Sequence, residues 1–126
     1  MKRVPIITPK APLAIGPYSQ GIAIGDFVFV SGQTPLRADG SLVSGSVAEQ
    51  TEQCLRNVTE VLLAAGLVPD RVVKTTVYMT DLGKFAEMNE VYAKFFKPPF
   101  PARATVQVSA LPKGAGVEID AVAARP

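Results

Sequence analysis

The chain has 126 residues, 48% of them apolar and 19% charged, a globular composition that fits one domain over residues 1–126 and excludes a disordered or low-complexity protein. A net charge of +2, spread over scattered Lys and Arg with no basic block, offers no footprint for nucleic acid. Histidine is absent, which removes Ser-His and Cys-His nucleophile pairs and the usual zinc donors, so no metal is expected and acid–base work falls to carboxylates, tyrosine, lysine or bound water.

At the N-terminus Lys2 and Arg3 precede an apolar stretch, but Pro5, Pro9, Lys10 and Pro12 break it, so it does not read as a signal-peptide core. The longest apolar run, Val61 to Val68, is too short to span a bilayer. With Cys54 as the single cysteine no intrachain disulfide can form, and the cytoplasm, with no membrane partner, is the expected location.

Gly16 and Pro17 make a turn in Ile15-Gly16-Pro17-Tyr18-Ser19-Gln20, from which the Tyr18 hydroxyl can reach into a cleft or its ring can pack as a satellite of the core. Gly21–Ile24 and Phe27–Ser31 then read as strands around Gly25-Asp26, a two-residue hairpin turn. Ser31-Gly32-Gln33 ends the second strand. Gly32 there either lets a backbone N–H approach a ligand closely or is a plain strand exit.

Val47, Thr51, Leu55, Val58, Leu62 and Ala65 recur at spacings of three and four, with Glu49, Gln50, Glu52, Gln53, Arg56 and Glu60 on the rest of the helix they predict. Ser46 and Glu49 form a capping-box pattern, and Gly66 and Pro69 supply the stop. Cys54 sits at the edge of the stripe as a small packing residue. Val72–Thr80 alternates as a strand. Leu82, Phe85, Met88, Tyr92 and Phe95 then form the stripe of a second helix, with Asp81 as N-cap and Pro98-Pro99 ending it. Asn89 lies beside that stripe, where its plainest role is to satisfy backbone groups.

From Ala102 to Ala110 alternation is clean: Ala104, Val106, Val108 and Ala110 share one face, Arg103, Thr105, Gln107 and Ser109 the other. After the turn Leu111–Gly116, Val117, Ile119, Ala121 and Ala123 face one way, with Glu118 and Asp120 opposite. Strands, helix, strand, helix and two strands predict an α+β fold, a mixed sheet with both helices on one face. The other face then needs a cover, and a second subunit is the obvious one.

A strand arginine either joins a surface or interface ion pair or binds a carboxylate through two parallel hydrogen bonds. If the last two strands form a hairpin with Ala110 opposite Val117, Ser109 lies opposite Glu118 and Arg103 is on the order of 20 Å further along. One chain could not then bring Arg103 and Glu118 together over a small substrate, and a neighbouring subunit would have to supply one of them.

Ile15-Gly16-Pro17-Tyr18-Ser19-Gln20, Val30-Ser31-Gly32-Gln33, Pro101-Ala102-Arg103-Ala104-Thr105-Val106, Leu111-Pro112-Lys113-Gly114 and Val117-Glu118-Ile119-Asp120-Ala121 together resemble the RidA/YjgF family in order and spacing, over nearly the whole chain. The resemblance implies a chorismate-mutase-like fold, a homotrimer with sites between subunits, and a cofactor-free deaminase. Its substrates would be small 2-imino acids, the enamine/imine products of pyridoxal-phosphate-dependent dehydratases, hydrolysed to 2-keto acids and ammonia. It implies that Arg103 binds the substrate carboxylate, that Glu118 positions the attacking water, and that Tyr18, Ser31, Gly32 and Asn89 line the cleft. Thr105 stands where many active members have cysteine, which leaves hydrolysis intact but provides no thiolate. Two other readings stay open: a carboxylate-binding or chaperone-like trimer without catalysis, and an endoribonuclease, for which the chain offers neither a basic run nor a histidine.

Overall fold

The computed structural model describes residues 1–126. Six strands form one mixed sheet: β1 (Val4–Ile6), β2 (Gly21–Ile24), β3 (Phe27–Gln33), β4 (Val72–Met79), β5 (Ala102–Gln107) and β6 (Val117–Ala124), in the spatial order β1-β2-β3-β6-β4-β5. Only β4 and β5 are parallel. Two helices, α1 (Val47–Ala64) and α2 (Phe85–Tyr92), carry the chain across the sheet between β3 and β4 and between β4 and β5.

The predicted hairpin is present, with Ile24 opposite Phe27 and Gly25 at φ +55°, the left-handed conformation a tight hairpin turn needs at its first position. The capping box is also present: the Ser46 hydroxyl accepts from the Glu49 N–H at 3.2 Å, and the Glu49 carboxylate accepts from the Ser46 N–H at 3.2 Å. A single 3-10 turn, Leu82–Lys84, precedes α2, and Asp81 caps that turn through the Gly83 N–H at 2.8 Å. Pattern reading merged the turn and the helix because both continue one stripe.

Both helices cover the same sheet face. Leu55, Val58, Val61 and Leu62 of α1 and Met88 and Tyr92 of α2 pack in one core with Val28, Val30, Val77, Met79, Val117 and Ile119. Cys54 is fully buried there, as its place on the stripe predicted. The opposite face has no cover within the chain: Phe27, Phe29 and Val106 keep 47%, 46% and 41% of their surface exposed. β1 went unpredicted. Pro5, which argues against a strand in general, is tolerated because β1 is an edge.

The expected pairing of the last two strands is wrong. β5 and β6 do not form a hairpin; β4 lies between them, parallel to β5 and antiparallel to β6. Alternation of period two assigns faces and leaves the partner open. β6 is buried on one face and half-buried on the other along its whole length, which suits a central strand. β5 is mostly exposed and takes the edge. The chain passes the end of β4 on its way, held by the Val108 N–H to Met79 O at 2.8 Å and the Thr80 N–H to Gly116 O at 3.2 Å. β5 accordingly stops at Gln107 rather than Ala110.

Candidate active site

Between the pairs Val30–Ala121 and Gln33–Ile119, β3 has one residue more than β6, so Ser31-Gly32 forms a β-bulge. Glu118 of β6 packs against the bare Cα of Gly32: a Cβ built there would sit 2.9 Å from the Glu118 Cδ and closer still to a carboxylate oxygen. Gly32 is needed for that close approach. Burial pushes the Glu118 carboxyl above the usual carboxylate value, and the negative charge of Asp120, two residues along the same face, adds to the shift. Asp120 itself accepts from the Thr76 N–H at 3.1 Å and the Tyr78 hydroxyl at 3.0 Å.

Glu118 and Gly32 open onto a cleft of about 640 Å³ whose walls include Tyr18, Gln33, Thr34, Leu36, Leu13 and Lys113. Tyr18 is half exposed there and its hydroxyl accepts from the Ile15 N–H at 3.4 Å. The Ser31 hydroxyl donates to Ser19 O at 2.5 Å, so its proton is committed and its oxygen is left as an acceptor; Ser31 adjoins Gly32 but is not among the residues that wall the cleft.

Buried amides hold the loops that form these walls. Gln20 donates to Thr8 O, Ala11 O and Pro12 O and accepts from the Thr8 N–H. Asn57 donates to Thr34 O and Leu36 O; Gln50 ties Val43 O to the Gly116 N–H. Sequence reasoning missed this set, placing Gln50 on the polar side of α1. Gln50, Cys54, Asn57 and Val61 recur at helical spacing and are all buried, and that recurrence was the available signal.

The second cluster lies elsewhere. Arg103 is paired with Thr75 across β4 and β5, so its side chain projects to the helix-covered face. Its Nη1 donates to the Asn89 Oδ1 at 2.7 Å, and its guanidinium lies 4.7 Å from the Tyr92 ring centre and 5.4 Å from that of Phe85. The chain's ion pairs are Arg56–Glu52 and Lys97–Asp70; Arg103 has no carboxylate partner. A hollow of about 390 Å³ adjoins it, walled by Asn89, Tyr92, Ala93, Phe100 and Pro101. Two residues along the same face, the buried Thr105 Oγ1 has no hydrogen-bond partner. Asn89 therefore does more than serve its helix.

The fold thus brings together Tyr18, Ser31, Gly32 and Glu118, and separately Asn89, Arg103 and Thr105. It does not join the two groups. Glu118 is paired with Tyr78 and alternates with buried Val117 and Ile119, so it lies on the face opposite to Arg103, two strands away. The two are kept apart by opposite sheet faces and an intervening strand, not by length along a hairpin as expected. No cluster of three or more Cys, Asp and Glu side chains is arranged to hold a metal ion, and no helix is long and apolar enough to cross a membrane.

The family model described as "Endoribonuclease L-PSP" matches residues 8–125. The chain is 56% identical over 119 residues to the RutC family protein y4sK of Sinorhizobium fredii, covering 94% of each. It is 51% identical over 119 residues to the human 2-iminobutanoate/2-iminopropanoate deaminase, covering 94% of this chain and 87% of that one. Among solved structures, Escherichia coli TdcF with bound serine superposes with a TM-score of 0.92 at 42% identity, covering 98% of this chain and 99% of that one.

Proposed function

The chain belongs to the endoribonuclease L-PSP family, also known as RidA/YjgF, and from that premise we propose that it hydrolyses small 2-imino acids to 2-keto acids and ammonia. The observation that carries the reading is a guanidinium with no carboxylate of its own, oriented by Asn89 beside a hollow. Its remaining donors suit one small carboxylate gripped through two parallel hydrogen bonds. The deaminase name of the human relative and the serine bound to TdcF point to the same class of ligand.

The active unit is a homotrimer in which the Arg103 cluster of one protomer faces the Glu118 cleft of the next. The reading rests on the opposite placement of the two groups within one chain and on the uncovered apolar sheet face. Arg103 fixes the substrate carboxylate and so holds C2 at the cleft, an orientation effect. Glu118 takes a proton from water as its oxygen bonds to C2 and the C=N π electrons move to nitrogen. The same carboxyl then gives that proton to the amine nitrogen and, as the C–N bond breaks, takes up the proton of the new C2 hydroxyl, whose O–H electrons form the C=O bond. A protonated imine and water thus become ketone and ammonia, with one proton left on Glu118 to pass to solvent. The raised pKa of Glu118 suits this exchange, because a carboxylate that is a stronger base takes the proton from water more readily. Ser31, as an acceptor, orients the substrate N–H; Tyr18 and the Gly32 backbone close the cleft beside it, and the unpaired Thr105 hydroxyl contributes beside Arg103. No step needs a cofactor or a thiol.

The test is a coupled assay in which a threonine or serine dehydratase releases the imine and semicarbazide traps it. Catalytic amounts of this protein should suppress semicarbazone formation. Stoichiometric suppression alone would favour a carboxylate-binding module, and no suppression with several imino acids would remove the reading.

A further inference from the structure

The aromatic pair under Arg103 lies outside the residues assigned above. Tyr92 is buried and its hydroxyl shares a 2.7 Å hydrogen bond with Thr75 Oγ1, itself fully buried on β4. Thr75 is also the residue paired with Arg103 across the parallel β4–β5 ladder. The three residues form a closed triangle: the register places Arg103 beside Thr75, Thr75 pins the Tyr92 hydroxyl, and the pinned ring lies 4.7 Å beneath the guanidinium. Phe85, two helical turns earlier on α2, adds a second ring at 5.4 Å.

An arginine on an exposed edge strand has rotamer freedom to lose before it can bind anything in a fixed pose. Asn89 restrains one nitrogen at 2.7 Å but leaves rotation about that bond. Two ring faces restrain the plane itself, because a guanidinium prefers to lie over the negative face of an aromatic ring. Neither ring takes up a donor, so the floor orients the guanidinium while its N–H edge stays free for an anion.

We infer that Tyr92 and Phe85 are positioning residues that set the affinity of the site for its carboxylate, acting through the plane of Arg103. The inference rests on the assignment of Arg103 as the carboxylate binder. Stability and affinity then separate in opposite directions. Tyr92→Phe keeps the ring and strands the Thr75 hydroxyl, so it lowers the melting temperature and leaves affinity near that of the unaltered protein. Phe85→Leu keeps apolar volume at a partly buried position and removes a ring face, so it weakens binding with little effect on stability.

The experiment measures 2-oxobutanoate binding by calorimetry, steady-state KM and kcat, and melting temperature for both variants and Tyr92→Leu. Phe85→Leu should raise Kd and KM by about threefold and Tyr92→Leu by about tenfold, each with kcat within about twofold, while Tyr92→Phe stays within about twofold in Kd. Affinity that follows melting temperature across the series would overturn the positioning role, as would unchanged affinity in Phe85→Leu with Tyr92→Leu too unstable to measure. If the unaltered protein binds no 2-oxobutanoate and hydrolyses no imine, the assignment of Arg103 fails first, and the inference falls with it.

Discussion

The Arg103 cluster and the Glu118 cleft solve the problem of a charged group by opposite means. Arg103 is set on an exposed edge strand and is oriented almost wholly by side chains, one amide and two rings, all contributed by α2. Its charge stays solvated until a ligand arrives. Glu118 is set on a central strand and is packed by backbone, the Ser31-Gly32 bulge, inside loops stapled by buried amides. Its charge is penalised by that burial. On the proposed reading one half binds an anion and the other exchanges a proton; the sheet places them on opposite faces of one chain.

Substitutions can break this division one half at a time. Glu118→Gln keeps the shape of the cleft and removes the base, so kcat should fall by about a thousandfold while 2-oxobutanoate binding is retained. Binding lost along with turnover would mean that the two halves are not functionally separate. Arg103→Lys substitutes a point charge for a planar fork, and kcat/KM should fall by about a hundredfold, chiefly through KM and the Kd for 2-oxobutanoate. Near-normal turnover would remove the guanidinium from the account. Gly32→Ala drives a methyl into the Glu118 carboxylate and should lower kcat by about tenfold with Kd little changed, since Arg103 is untouched.

The smallest effect sharpens the contrast through pH. Glu118 must be ionised to accept a proton, so turnover should decline as pH falls through its folded-state pKa, and that acid limb should lie above 4.5 and vanish in Glu118→Gln. Because this carboxyl is a weaker acid folded than unfolded, the folded chain holds more protons in the window just above pH 4.5. Its contribution to stability is therefore present below that window and lost as pH rises through it. Urea midpoints should show Glu118→Gln more stable than the unaltered protein at pH 7, with the difference shrinking in acid. A midpoint unchanged at every pH would mean that burial costs Glu118 nothing.

Much of this was legible in the residues. Ser46 with Glu49 located the start of α1, Gly25 located the hairpin, and alternation placed Arg103 with Thr105 and Glu118 with Asp120. Family resemblance sets Tyr18, Ser31, Gly32 and Asn89 in one cleft with Arg103 and Glu118; that Gly32 lies against Glu118 could not come from spacing, because the bulge that joins them is a mismatch between strands remote in sequence. The place of β5 was misread for a related reason: Ala102–Gln107 has a face written in it and no partner. Gln20, Gln50 and Asn57 were missed because a buried amide reads as a surface residue until its backbone partners are known. Tyr92 looked like plain core, and only the parallel register shows that it lies under Arg103.

The claim that one protomer's Arg103 works with its neighbour's Glu118 has a direct test. Arg103→Lys and Glu118→Gln chains, each nearly inactive alone, are unfolded together, refolded as a mixture and assayed for imine hydrolysis. If the site is shared, about one interface in four in randomly mixed trimers receives both intact groups, and activity should return to about a quarter of that of the unaltered protein. A mixture no more active than the two variants apart would contradict it.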